Sequence, residues 1–422
     1  MKELRSNLTY ISLYHFLLGI CSFLLSYSPK LIPIGFILVF IIAIFGLIKK
    51  KAQFVFPNKL MIAFILLYIF YVVGTLFTNN LPLALNYLEY KLSFLLIPLI
   101  FLIRPKESIS LFSVSVGLII GIIITAITSF INGIQCYNEI DYFLECFTSS
   151  YLTSEHPTYF AVYLTLAIAL SWYGWINNFR FFKISLVILF NIIAFSMLFL
   201  GLSLSGILFA LFAIGIIILI LINRKWGKLV SLSTLIGAPL LMALMFFSVP
   251  SIKSDMLSSF NSFKAFFQNP DEFLEFDGEH NGDDVRLIMW SVTTQEFMEH
   301  PFGVGTGNVD YFLSKRLKKY HQMEMAKMDD TKQILYNPHN QFLQTGLEIG
   351  VFGLLILLFI VIYSIRKSIQ DKNWILLILA SNLAFNCLFE SMLQRQSGLV
   401  FFTFWLILLS ISGSVEKKKE NG

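Results

Sequence analysis

Apolar runs close to twenty residues long recur along this chain, and nothing constrains its fold more. A run of that length spans the hydrocarbon core of a bilayer as an α-helix. Only helices and closed barrels satisfy their backbone there, and a barrel would show weak alternating segments of about ten residues instead. The runs lie near 11–28, 31–48, 60–77, 90–103, 108–132, 157–174, 182–200, 205–222, 229–248, 347–364, 373–389 and 397–413. They predict an all-α, polytopic membrane helix bundle of about 12 transmembrane helices. Charged residues make up 14% of the chain, against roughly 25% in a soluble domain. The first run has no small-residue cleavage site after it and reads as a retained helix, not a signal peptide.

Basic residues mark alternate connections: Lys2 and Arg5, the lysines at 49–51, Arg104, Arg180, Arg224, Arg366 and the lysines at 417–419. This bias predicts both termini on the cytoplasmic side. It leaves two polar segments outside, 133–156 and 250–346. The expected layout is membrane helices 1–9 in 1–249, a long outer loop with short helices in 250–346, and helices 10–12 with a basic tail in 347–422. The GLSLS stretch at 201–205 predicts a tight hairpin, and 310–332 reads as a helix or lid over the membrane face. Cys136 and Cys146 share one outer loop, where a disulfide and two free thiols are both open. The net charge of +5 reflects topology. No basic aromatic groove suggests nucleic acid, so no nucleic-acid partner is expected.

The chain has no Walker loop, dinucleotide fingerprint or HExxH motif, so no cofactor is expected. Group transfer on the outer face therefore needs a preactivated, membrane-borne donor. Arg286 and Trp290 are four residues apart and share a helical face. A guanidinium suits phosphate oxygens, although Asp283 or Asp284 offers Arg286 a local ion pair. The glycines at 303, 305 and 307 shape a turn, with His300 before it in a structural role. His339, in the NPHN stretch with Asn340, can accept a proton near neutrality. His156 begins the sixth run on the same side. Lys91, whose stem can snorkel, and Glu390 and Arg395 lie at outer helix ends, where charges are costly unless paired or facing a cavity. Glu390 and Arg395 either pair with each other, or Arg395 joins Lys91 and Arg286 around a pyrophosphate. The acidic stretch DGEH with Asp283 and Asp284 has no EF-hand spacing, and no metal site is expected.

The motifs RLIMW (286–290), HPFGVGTGN (300–308), PHNQFLQTGLEIGVFG (338–353) and FESMLQRQSG (389–398) resemble the O-antigen ligase and polymerase family, the Wzy/WaaL-like membrane glycosyltransferases. The resemblance implies a GT-C-like bundle with one long periplasmic loop between spans 9 and 10, in the bacterial inner membrane. It implies inverting, metal-independent transfer of a glycan from an undecaprenyl-pyrophosphate carrier, among membrane lipids. The acceptor would be lipid A-core for a ligase or another lipid-linked glycan for a polymerase. Arg286 would contact pyrophosphate and His339 would activate the acceptor, with Trp290, Asn340, His156, Lys91, Glu390 and Arg395 lining the substrate site. Many members carry a cation in the segment that here reads GLSLSG (201–206). A transporter or flippase is the other class that twelve spans allow.

Overall fold

Among the described residues of the computed structural model, seven helices are long and apolar enough to cross a membrane, and four shorter helices are apolar. The structure describes residues 2–107, 109–140, 146–147, 156–201, 204–226, 250–276, 278–330, 333–334 and 336–420. The expected ninth run, 229–248, and the turn at 202–203 lie outside the described residues. The chain is thus a polytopic, all-α membrane protein. Its helices are α1 (Lys2–Tyr27), α2 (Ile32–Ile48), α3 (Lys59–Gly74), α4 (Leu81–Lys91), α5 (Ser93–Leu102), α6 (Leu111–Ile140), α7 (Pro157–Ile176), α8 (Ile184–Leu200) and α9 (Leu204–Trp226). The polar segment contributes α10 (Pro250–Gln268), α11 (Pro270–Glu275), α12 (Gly282–Glu299), α13 (Val309–Lys319) and α14 (Met323–Ala326). The bundle ends with α15 (Gln341–Gln370), α16 (Trp374–Phe389) and α17 (Gln396–Glu420).

Helix α17 is buried throughout 397–412. Phe401, Phe402, Phe404 and Trp405 are all fully buried, as expected for a helix apolar on every face. Tyr163 of α7 stacks on Phe401 at 4.3 Å. In lipid such burial gains contact density rather than escape from water, so small residues that allow close approach matter most. The α1–α6 pair shows this: a side chain at Gly117 would collide with the Gly19 carbonyl, and Ser22 Oγ donates to Val114 O at 2.8 Å. The only strands among the described residues are β1 (Ala52–Phe54) and β2 (Ile103–Pro105), an antiparallel pair joining the ends of α2 and α5.

Two boundaries differ from the apolar runs. The fourth run extends back to Leu81, because Asn80 caps α4 by accepting from Leu83 N, and α4 and α5 form one candidate span, Leu81–Leu102. The tenth begins at Gln341, because Asn340 caps it by accepting from Phe342 N and Leu343 N. Polar residues in its first turns are buried, Gln341 at 0% and Glu348 at 1% exposure. Hydropathy reads such residues as loop, but here they face protein.

That tenth helix is broken at depth. Ile349 and Gly350 leave helical geometry, with Gly350 at φ +76°. A break strands backbone groups that lipid cannot satisfy. The glycine turn supplies the partners: Val304 N donates to Leu347 O at 2.8 Å, Gly305 N to Glu348 O at 3.1 Å, and Val351 N to Pro301 O at 2.9 Å. Thr306 N and Oγ1 continue onto Gly74 O and Tyr71 O of α3. Gly305 has φ +96°, and a Cβ there would meet the backbone at Gly74 and Phe77. The amides that the glycine spacing exposes are therefore committed to the helix break.

Above this junction, α11–α14 build their own core from Leu274, Ile288, Met289, Val292, Leu313 and Leu317, joined to the bundle through Val304 and Leu347. The polar segment is a packed helical cap. Of the stretch 310–332 read as a helix or lid, the described residues contain two helices, α13 and α14.

Candidate active site

Two loops meet where α15 begins and α16 ends. His339 sits in left-handed backbone, φ +47°, a conformation uncommon outside glycine and enriched for Asn, Asp and His. Its amide donates to Asn337 Oδ1 at 2.7 Å. The same oxygen accepts from Ser391 Oγ at 3.2 Å. Asn340 Nδ2 donates to Leu388 O at 3.2 Å, and Leu393 N donates to the buried Gln341 Oε1 at 2.6 Å. These bonds dock the turn 390–395 onto the start of α15.

The docking brings His339 Nδ1 to 3.3 Å from Glu390 Oε2. Glu390 is 8% exposed. Burial alone would raise its pKa, but the His339 hydrogen bond and charge, the Ser391 amide and His156 together bring it below the usual carboxylate range. Glu390 pairs with His339, a contact the sequence did not suggest, and not with Arg395; Arg395 is exposed and forms no ion pair among the described residues.

Trp290 joins the cap to this centre. Its Nε1 donates to His339 O at 3.3 Å, and its ring lies 6.2 Å from Phe389. Arg286 is one turn earlier on α12. It pairs with Asp283 at 3.1 Å, leaving its side chain 40% exposed, while its buried Nε has no partner. The first turn of α12 is fixed by Asn281 in a capping box with Asp284. His156 caps α7, its ring nitrogen accepting from Thr158 N at 3.4 Å. Partial burial lowers its pKa; Glu390 opposes this, and Arg395, His339 and Arg286 act with it. These five side chains therefore share one electrostatic neighbourhood.

Lys91 is placed differently from a snorkelling lysine. It is 1% exposed, with its ammonium on Gln394 Oε1 at 2.5 Å and over the Tyr71 ring at 4.3 Å. Gln394 also donates to Glu348 Oε2 at 2.8 Å, as does Gln344 at 3.3 Å. Lys91 is thus committed to a buried relay that braces the 390–395 turn against the break in α15. Sequence reasoning passed over Gln341, Gln344 and Glu348. Their signal was a polar stripe at i, i+3 and i+7 through an apolar helix.

Asp310 stands beside this relay at the start of α13. It is half-buried by surface, yet its carboxyl lies in dense protein. That desolvation, with Glu348 nearby, pushes its pKa up to about 7. His300 lies against Phe312 with ring centroids 4.9 Å apart. Glu296, Glu299 and His300 could offer ligand atoms to a cation, but both carboxylates are already paired with Arg316. Cys136 and Cys146 form a disulfide with a Cα–Cα distance of 5.5 Å, which resolves that alternative. In the 201–206 segment only the ends fall among residues whose side chains are described.

No curated protein matches this chain. One family model does, over residues 189–358, from α8 through the cap to the middle of α15. The matched segment includes Arg286, Trp290, His339 and the α15 break, and excludes Lys91, His156, Glu390 and Arg395. That model is Wzy_C, described as O-Antigen ligase, and this segment of the chain is similar to that family.

Proposed function

We propose that the protein transfers a glycan from a polyprenyl-pyrophosphate donor to a hydroxyl acceptor at the mouth formed by α7, α12, α15 and the 390–395 turn. The observation that carries this reading is the His339–Glu390 pair. A proton on Nδ1 donated to Glu390 leaves Nε2 as an acceptor, the tautomer that a general base requires. Nε2 takes the proton of the acceptor hydroxyl, and Glu390 stabilises the imidazolium that forms. The hydroxyl oxygen bonds to the anomeric carbon as the bond from that carbon to the pyrophosphate oxygen breaks. A single displacement of this kind inverts the anomeric centre.

The departing pyrophosphate carries the negative charge. Arg395, which has no ion-pair partner among the described residues, and Arg286, which keeps an unpartnered Nε, supply the countercharge. In this reading guanidinium groups do the work that a divalent cation does elsewhere. Trp290, Asn340 and His156 border the same space. Lys91 positions the turn and does not itself touch phosphate. The mouth lies at the opposite ends of α15 and α16 from Lys367, Lys372 and Trp374, which supports a periplasmic active face and cytoplasmic termini in a bacterial inner membrane.

The acceptor we favour is lipid A-core, which makes the enzyme an O-antigen ligase; the matching family model supports the ligase and the polymerase reaction alike. Reconstitution with a polyprenyl-pyrophosphate glycan and either lipid A-core or a second lipid-linked glycan tests it. The expected product has the mass of glycan plus lipid A-core. Product only with the second lipid-linked glycan would replace ligase by polymerase, and no product with either would sink the transferase reading.

A further inference from the structure

The cap carries an open groove of about 470 Å³ between α10, α11 and the start of α12. That is the size of a small-molecule site. The mechanism above does not use it. Its lining combines side-chain amides (Asn261, Gln268, Asn269), two carboxylates (Glu272, Asp284) and two phenylalanines (Phe273, Phe276).

The walls are held in place from behind. Ser262 Oγ accepts from Asn281 Nδ2 at 3.1 Å, tying α10 to the cap of α12. The buried Gln322 donates through Nε2 to Leu274 O at 2.9 Å and Phe276 O at 2.7 Å. Its Oε1 therefore faces His280 Nε2, at 3.0 Å, so that nitrogen is the donor and Nδ1 is left to accept. Phe276 packs against Gly278 and lies edge-on to His280 at 5.7 Å. It is nonetheless 58% exposed. Asn261 and Gln268 are exposed and have no hydrogen-bond partner among the described residues.

The chemistry of this lining selects its ligand. The open amides of Asn261 and Gln268 stand beside Asn269, which donates to Glu272 at 3.0 Å, and Asp284, which accepts from Asn281 N; together they offer donors and remaining acceptor positions side by side, as adjacent hydroxyl groups require. A fixed, half-exposed aromatic ring offers an apolar platform to the C–H face of a sugar ring. No lysine or arginine is among the described residues that line the groove, and its two carboxylates disfavour phosphate or another anion. Its walls are helices and offer no strand edge to an extended peptide. The groove also begins close to the proposed chemistry: Asp284 shares the first turn of α12 with Asp283, the partner of Arg286.

We infer that this groove is a glycan subsite, which holds uncharged or amino-bearing sugar residues of the transferred chain away from its reacting end. The inference rests on the transferase reading for its purpose, though not for its chemistry. It is tested with the full-length protein in detergent and the oligosaccharide released from the lipid-linked donor by mild acid. Saturable binding is expected. Gln268→Ala and Phe276→Ala should each weaken it roughly threefold to tenfold, the range of one hydrogen bond or contact, and the double variant by at least tenfold.

In the transfer assay the same variants should raise KM by those factors with kcat unchanged. They should leave a donor carrying a single sugar unaffected. No binding to the wild-type protein, or unchanged binding by the double variant, overturns the subsite. If the double variant unfolds, Asn261→Ala with Gln268→Ala replaces it under the same criteria, since both side chains are exposed and unpartnered. His339→Ala should lower transfer by roughly a hundredfold or more and keep oligosaccharide binding. Groove-dependent binding without any transfer by the wild-type protein would therefore remove the transferase reading and leave the subsite standing.

Discussion

The glycine turn and the His339 mouth both press polar groups against membrane helices, yet they treat those groups in opposite ways. At the turn, the amides of Val304, Gly305, Thr306 and Val351 each find a carbonyl. At the mouth, Arg286 Nε is unpartnered, Arg395 has no ion pair, and one nitrogen of His339 faces no protein acceptor or donor among the described residues. Buried polar groups are nearly always satisfied. A satisfied set fixes shape, whereas a set left open waits for a ligand. The contrast separates two glycine- and histidine-bearing motifs that look alike in sequence: the first holds the second in place.

The most direct way to break this comparison is at the mouth. His339→Ala should lower transfer by roughly a hundredfold or more, the usual worth of a positioned base. Thermal unfolding in detergent should shift down only by the few degrees that loss of the Glu390 partner costs. Activity within tenfold of wild type would move the base elsewhere. The turn should behave oppositely. Gly350→Ala places a Cβ against the backbone of Phe302 at a φ of +76°. Left-handed backbone and overpacking together cost about 2–5 kcal/mol. The variant should lose yield and melting temperature, and the fraction that still folds should keep its kcat. A stable but inactive Gly350→Ala protein would give the turn a chemical role.

A finer test separates His339 from its partner. Glu390→Gln keeps the shape and removes the charge that stabilises the imidazolium. A hydrogen bond to a charged group is worth about 1.5–3 kcal/mol, so kcat should fall roughly tenfold to a hundredfold with little change in KM. Acid should act in the same direction. The Glu390 pKa is held down in the folded state, so its contribution is present above the ordinary carboxylate range and is lost as pH falls through the folded value. A Glu390→Gln enzyme with wild-type kcat would leave His339 acting alone.

Much of this architecture was legible in the residue pattern, for a simple reason. Apolar runs report where lipid must be, so the described helices follow the expected runs, and the four outer motifs do converge in space. What hydropathy could not report is which polar residues face protein inside the membrane. Lys91 read as a snorkelling end residue because its partner, Gln394, is 303 residues away. Glu390 and Arg395 looked like a pair because they are five positions apart, yet the turn between them points Glu390 at His339. The start of α15 was placed six residues late because Gln341, Gln344 and Glu348 lower the local hydropathy while being buried by the 390–395 turn and Lys91.

The smallest effect is expected at Asp310, and it sharpens the contrast by reversing a sign. Asp310 belongs to the satisfied region, but its carboxyl is desolvated and lies near Glu348, with a folded pKa of about 7 against an ordinary 3.8. The folded state therefore holds this proton more tightly than the unfolded chain. Its contribution to stability is fully present below the ordinary value, declines as pH rises from about 4 to 7, and is gone above that. Asp310→Asn should match wild type near pH 4 and melt a few degrees higher at pH 8. Removing a carboxylate would then stabilise the junction, while the Glu390→Gln change should destabilise the mouth at the same pH. Equal melting shifts for Asp310→Asn at pH 4 and pH 8 would show that the carboxyl is not desolvated, and the two regions would no longer differ in how they hold charge.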